Sequence, residues 1–168
     1  LFMEIVIILG LIFLNGILSM SEIAMVSARK SRLETAAKKG SKTAKTALRL
    51  ANEPDRFLST IQIGITLIGI LTGLYSGEAL AGDLARWLET IGIPQAHSLT
   101  LAKGIIVILV TYLTLILGEL VPKHLGMNAP EKIARLIARP MEVLSKIASP
   151  FVWLLSASTQ AVIRLTGL

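Results

Sequence analysis

The chain has 168 residues, of which 53% are hydrophobic and 17% are charged, and it contains no cysteine. Its mean hydropathy of +0.70, with a charged fraction below the ~25% usual for soluble domains, indicates one integral membrane domain and disfavours a soluble enzyme. The lack of cysteine excludes a disulfide-stapled scaffold. The net charge of +6 accompanies only 5% aromatic residues, and the basic residues adjoin apolar runs, so it indicates membrane topology rather than nucleic-acid binding.

The first predicted element is a membrane span over about residues 3–26, which is long enough to cross a hydrocarbon core of ~30 Å. A secretory signal peptide is the poorer interpretation, because the apolar run is too long and lacks a basic n-region. Asn15, Ser19 and Glu22 are spaced four and three residues apart, so they share one face of this helix.

A helical hairpin is predicted over residues 29–55, with a turn near Gly40-Ser41 and a stop at Pro54. The second span follows over about 57–75 and the third over about 102–121. Segment 27–57 holds nine basic residues, whereas 75–103 holds only Arg86 and Lys103. The positive-inside rule therefore predicts an N-terminus outside the cell and a cytoplasmic C-terminus.

The remaining segment is predicted to form interfacial helices over 131–166. Residues 131–148 carry an apolar stripe at helical spacing with basic residues elsewhere on the wheel, which is typical of a helix lying on the inner membrane surface. Residues 147–165 are apolar but diluted by serine, threonine and Gln160, so we expect them to lie in the interface rather than to span.

Polar groups inside spans are functional candidates because they are costly to bury in lipid. Pro122 has no N–H, so the carbonyl of Gly118 loses its helical donor and must find another donor, water or a cation. It adjoins the Glu119 carboxylate, and the polar residues of all three spans are predicted at one depth. These oxygens predict a site for a hard divalent cation such as Mg²⁺. The candidates at that depth include Glu119, Gly118, Ser19, Ser21, Gln62 and Thr66.

Some of these residues have a second interpretation. Gln62 suits a ligand or an interhelical hydrogen bond equally well. Glu22 suits pairing with Arg29 or a lipid-facing exit as well as it suits cation binding. Zinc or copper is disfavoured, because the sequence has no cysteine and only two histidines. No nucleophile–base pair, phosphate loop or redox motif supports an enzyme.

Three motifs resemble the membrane domain of the CorC/CNNM (cyclin M) family. Residues 18–24, Leu-Ser-Met-Ser-Glu-Ile-Ala, resemble its F-S-G-S-E-x-A signature, residues 62–67 its second-span motif, and residues 118–123 its G-E-x-x-P-K motif. Leu18 and Met20 depart from the phenylalanine and glycine of the first motif, and Ile65 stands where many relatives have an asparagine.

The resemblance implies an all-α domain of three transmembrane helices and amphipathic juxtamembrane helices, assembled as a C2 homodimer in the bacterial plasma membrane. It implies Mg²⁺ export, with Glu119, Gly118, Ser19, Ser21, Gln62 and Thr66 as the ligand set. It also implies cytosolic CBS and CorC modules elsewhere in the full-length protein. Two alternatives remain open: a membrane scaffold that senses Mg²⁺ and regulates another transporter, and a site that binds Na⁺ or couples to it.

Overall fold

The computed structural model describes residues 2–167, and every regular element in that range is helical. The helices are α1 (Phe2–Ser27), α2 (Lys30–Lys38), α3 (Lys42–Asn52), α4 (Pro54–Thr90), α5 (Gln95–Leu115), a π-helical segment (Ile116–Leu120), α6 (Val121–Asn128) and α7 (Pro130–Leu165). Within the described residues, three helices are long and apolar enough to cross a membrane: α1, α4 and the continuous helix Gln95–Asn128. The all-α, three-span fold class is therefore confirmed.

The chain divides into two compact units. The first, here called the span unit, comprises the chain up to Met20 together with Gly64–Leu125. The second, the hairpin unit, comprises Ser21–Ile63 together with the chain from Gly126 onward.

In the span unit, α4 continues as a helix to Thr90, well beyond the predicted span end at residue 75. Its last turns bury Ala85 and Leu88 against Ala102 of α5, because apolar residues recur there at helical spacing. The α4–α5 connection turns at Gly92, whose φ of +102° favours glycine. Ser98 of α5 donates a 2.8 Å hydrogen bond to Glu89 at the end of α4, which fixes this corner.

The hairpin unit contains the helical hairpin α2–α3, which turns at Gly40 with a φ of +97°. Ser41 caps α3 by accepting a hydrogen bond from the Ala44 N–H at 3.2 Å. α3 packs on the first half of α7 through small and apolar buried residues: Ala44, Ala47 and Leu50 on α3, and Ala134, Ala138 and Met141 on α7. An ion pair of 3.2 Å between Arg49 and Glu142 borders this contact.

α7 is one continuous helix although it contains Pro140 and Pro150. A proline deprives the carbonyl four residues earlier of its donor, which here affects Leu136 and Lys146. Both prolines and both of these residues are exposed, so the freed carbonyls lie on exposed parts of α7 rather than in its buried stripe. The helix therefore continues through the boundary that the sequence placed near residue 148.

Candidate functional site

The G-E-x-x-P motif of the third apolar helix forms the π-helical segment Ile116–Leu120. The N–H of Val121 donates to the carbonyl of Ile116, five residues earlier, rather than to that of Leu117. The next residue is Pro122, which has no N–H to donate. Residue 122 would donate to the carbonyl of Leu117 in a π-helix and to the carbonyl of Gly118 in an α-helix. Because Pro122 cannot donate, neither carbonyl receives that backbone hydrogen bond. Such single wide turns within α-helices occur frequently at functional sites.

The carbonyl of Gly118 has a side-chain donor in place of the missing backbone donor. Nδ2 of Asn15 in α1 donates to it at 3.1 Å in a buried setting. Since a carbonyl oxygen can only accept, the amide nitrogen of Asn15 must face it. Gly118 suits this contact, because a Cβ there would lie 3.1 Å from Nδ2 of Asn15 and 3.5 Å from the carbonyl of Ile12.

α1 also approaches the π segment closely at Gly16. A Cβ at this position would lie 2.9 Å from the carbonyl oxygen of Leu117 and 3.0 Å from Cγ of Pro122. Backbone contacts this short require a glycine, and they allow the Cα–H groups of Gly16 to approach the carbonyl left without a donor. The Gly16 contact and the Asn15 hydrogen bond hold α1 against the π segment.

Near the middle of α1, Oδ1 of Asn15 and Oγ of Ser19 are buried and have no hydrogen-bond partner among residues 2–167. Asn15 is 3% exposed and Ser19 is 1% exposed. They are one helical turn apart, so their Cβ atoms are neighbours at roughly 5–6 Å. A buried polar atom without a partner costs about 1–3 kcal/mol, so these oxygens are strong candidates for contact with a ligand.

Glu119 supplies the negative charge of this region. Its side chain is half-buried and follows directly after Gly118 on the π segment. Among the described residues, no three His, Cys, Asp or Glu side chains cluster. A cation bound here would therefore depend on amide, hydroxyl and carbonyl oxygens together with one carboxylate.

The other predicted ligands are distributed over both units. Thr66 belongs to the span unit and is exposed on α4, two residues after Gly64, which contacts the Leu18 side chain. Ser21 and Gln62 belong to the hairpin unit, where Ser21 is fully buried and Gln62 is exposed. Their assignment as ligands stays a prediction.

Asn15 is the residue that the predicted ligand set lacks. Its spacing from Ser19 and Glu22 marks the polar face of α1, but it lies outside the three motifs. The signal that identifies it is the complementarity between a side-chain donor in one span and a donor-free carbonyl in another. Spacing along a single helix does not reveal that complementarity.

Comparison with known proteins supports the resemblance. The family model described as the cyclin M transmembrane N-terminal domain matches residues 6–168. A UPF0053 protein of Synechocystis is 48% identical over 166 residues, covering 99% of this chain and 37% of the relative. The UPF0053 protein YhdT of Bacillus subtilis is 32% identical, covering 94% of this chain and 34% of the relative.

A third relative carries a functional name. The polyamine export protein of Escherichia coli K12 is 30% identical over 162 residues, covering 96% of this chain and 36% of the relative. The chain thus spans roughly a third of the length of these relatives. With a family model that matches nearly all of its length and with three apolar helices long enough to span, this chain is a multi-pass membrane domain and belongs to the cyclin M transmembrane N-terminal domain family.

Proposed function

We propose that this domain exports Mg²⁺ and holds the ion, largely dehydrated, against the π segment. The observation that carries the proposal is the pair of buried oxygens without partners, Oδ1 of Asn15 and Oγ of Ser19. They lie on the helix that contacts Gly118, next in sequence to Glu119. Mg²⁺ prefers oxygen ligands at 2.0–2.1 Å in an octahedron, and the proposed ligand set consists only of oxygens.

The Asn15 side chain has two roles in this proposal. Its Nδ2 is engaged by the Gly118 carbonyl, so rotation of the amide is restricted and Oδ1 has a fixed direction. The carbonyl oxygen of Gly118 keeps a second lone pair. Preorganised oxygens reduce the ordering cost of binding, which matters for an ion that gives up its water reluctantly.

Export, rather than uptake, is proposed from the family resemblance and from a relative that is named as an export protein. The positive-inside pattern predicts that the π segment lies in the cytoplasmic third of its span, within reach of ions from that side. The homodimer, the cytosolic modules and the bacterial plasma membrane location stay predictions.

The test is Mg²⁺ flux and Mg²⁺ binding with the chain in proteoliposomes, comparing wild type with Glu119→Gln. The matched control is Glu78→Gln, which makes the same change at an exposed carboxylate in the same unit. A hydrogen bond to a charged group is worth about 1.5–3 kcal/mol, and a direct contact between a carboxylate and Mg²⁺ should be worth at least as much. Glu119→Gln should therefore weaken Mg²⁺ binding about tenfold or more and abolish flux. Unchanged efflux in folded Glu119→Gln protein would refute the assignment.

Ser19→Ala separates ligand binding from folding. Because Oγ of Ser19 is buried without a partner, removing it should leave the thermal stability of the Mg²⁺-free protein unchanged or slightly raised. The same substitution should weaken Mg²⁺ binding. A variant that loses stability without Mg²⁺ and keeps its Mg²⁺ affinity would assign Ser19 a structural role instead.

A polyamine is the second candidate substrate, favoured by the name of the Escherichia coli relative. Ammonium groups donate hydrogen bonds to the same kinds of oxygen, so the site chemistry does not separate the two cations. Competition experiments, with Mg²⁺ against spermidine and with Mg²⁺ against Na⁺, separate these candidate substrates. Displacement of bound Mg²⁺ by micromolar spermidine would favour the polyamine, and Mg²⁺ binding without flux would favour the sensor scaffold.

A further inference from the structure

A basic groove of about 600 Å³ lies in the hairpin unit, at the point where α2 and α7 begin. Four of its lining residues are basic and one is acidic, a formal charge of +3: Arg29, Arg32, Lys132 and Arg135, with Glu131. The volume falls in the range of small-ligand sites. This groove shares no residue with the proposed Mg²⁺ site.

Two helix N-termini add to the positive potential of the groove. α2 begins after Arg29 and α7 begins after Ala129, and neither of these N-cap residues accepts a side-chain hydrogen bond. The N–H groups in the first turn of a helix lack intrahelical acceptors and carry partial positive charge, so they favour anions. At this junction the backbone N–H of Arg29 donates to Oε1 of Glu131 at 3.3 Å. A carboxylate oxygen of the chain itself therefore already accepts a hydrogen bond from one N–H group at this junction.

The pKa of Glu131 indicates how well the groove stabilises a negative charge. Burial acts to raise the pKa of its carboxyl, but hydrogen bonds from its own N–H and from that of Arg29, with the charges of Arg32 and Arg29, lower the pKa overall. Arg32 approaches the carboxylate at 3.7 Å. The groove therefore stabilises a negative charge in spite of partial desolvation.

Much of the positive charge in the groove is not neutralised. Within residues 2–167, Lys132 and Arg135 form no ion pair with a carboxylate, and Arg135 donates to the hydroxyl of Ser41 at 3.1 Å. Both residues lie in the first turns of α7 and are exposed. Room therefore remains for an external anion beside the internal carboxylate.

We propose that this groove binds the phosphate of an acidic phospholipid headgroup. Its lining includes Ser27, the last residue of α1, and Asn128, the last residue of the third apolar helix, and both helices are long and apolar enough to span. A lipid phosphate lies at the level where such helices leave the hydrocarbon core. Basic clusters directly cytoplasmic of a span attract anionic lipids by about 1 kcal/mol per residue, and helix N-termini bind phosphate through their N–H groups.

The test is native mass spectrometry of the chain in neutral detergent, with dioctanoyl phosphatidylglycerol and, separately, dioctanoyl phosphatidylcholine. The variant is Lys132→Gln with Arg135→Gln. The matched control is Lys38→Gln with Lys39→Gln, which removes two exposed positive charges of the same unit outside the groove. We expect phosphatidylglycerol affinity to fall about fivefold for each groove residue removed, and the control to bind as wild type does.

Lys132→Gln alone guards against a folding defect, since Lys132 makes no described hydrogen bond or ion pair and its loss should still weaken binding about fivefold. Equal losses in the groove variant and the control, or equal retention of both lipids by wild type, would overturn the proposal. Displacement of the lipid by millimolar inorganic phosphate would overturn the lipid assignment in favour of a soluble phosphate. Because Glu119→Gln should leave lipid retention unchanged, failure of this proposal is distinguishable from failure of the Mg²⁺ site.

Discussion

Replacing Gly16 with alanine tests whether α1 rests against the π segment. The added Cβ would lie 2.9 Å from the Leu117 carbonyl oxygen and 3.0 Å from Cγ of Pro122, whereas ordinary contact begins at 3.4 Å. Neither atom is the end of a flexible side chain, so α1 must move by several tenths of an ångström. Overpacking of this kind costs about 1–3 kcal/mol. The movement would also lengthen the 3.1 Å hydrogen bond from Asn15 to Gly118.

Gly10 offers a matched control on the same helix. A Cβ at Gly10 has no heavy atom within 4 Å, so Gly10→Ala gains helix propensity of up to about 1 kcal/mol relative to glycine and meets no steric cost. We therefore expect opposite effects from one chemical change at two positions six residues apart.

The assay is thermal denaturation of both variants in the same detergent, followed by loss of circular dichroism, with Mg²⁺ binding measured on the folded protein. Gly16→Ala should lower the midpoint temperature by several degrees and weaken Mg²⁺ binding, while Gly10→Ala should leave both unchanged or raise the midpoint slightly. If Gly16→Ala and Gly10→Ala behaved alike, the close approach of α1 to the π segment would be wrong.

Two further predictions concern single groups. Pro122→Ala restores an N–H group that can donate to the Gly118 carbonyl. The stability cost of Asn15→Leu, about 1 kcal/mol for an interhelical hydrogen bond in a membrane, should therefore be smaller in the Pro122→Ala background than in wild type. A double-mutant cycle measures this difference, and additive stability costs would contradict the prediction. The pKa of Glu131 is lowered from 4.5 in the folded protein, so its ion pair and hydrogen bonds contribute stability above pH 4.5 that is lost as the pH falls through the lower folded pKa. The midpoint temperature of wild type should therefore fall more steeply below pH 4.5 than that of Glu131→Gln. The difference should correspond to less than about 1 kcal/mol of stability. Parallel pH profiles of the two proteins would show that Glu131 makes no such contribution.

The sequence was sufficient to predict the parts of the fold that depend on hydropathy and local turn chemistry. Three apolar runs gave three helices long enough to span, and Gly40, between two segments rich in alanine and lysine, gave the turn of the hairpin. These features follow from interactions within about four residues of each position, which composition and spacing report directly.

Composition and local spacing could not predict the π segment. Pro122 predicted a carbonyl without a donor, but a kink, a wide turn or a side-chain donor can each accommodate it. The choice depends on α1, more than 100 residues away in sequence, where Asn15 supplies the donor and Gly16 allows the approach. The continuity of α7 could not be predicted for a similar reason. The free-energy cost of Pro140 and Pro150 within the helix depends on whether the freed carbonyls are exposed or buried.

The wide turn also divides the third apolar helix into two parts with different rotational phase. A π turn accommodates one more residue than an α-turn, and each residue of an α-helix turns through about 100°. A helical wheel drawn through Gln95–Asn128 as a single α-helix therefore misplaces one part by that angle. Deleting one residue within 116–120 would shorten the helix by only ~1.5 Å. Because the wide turn already takes up that residue, the faces that carry Thr111 and Pro122 would keep their relative orientation. A loss of function after such a deletion would therefore report the loss of the wide turn rather than a change in angular register or length.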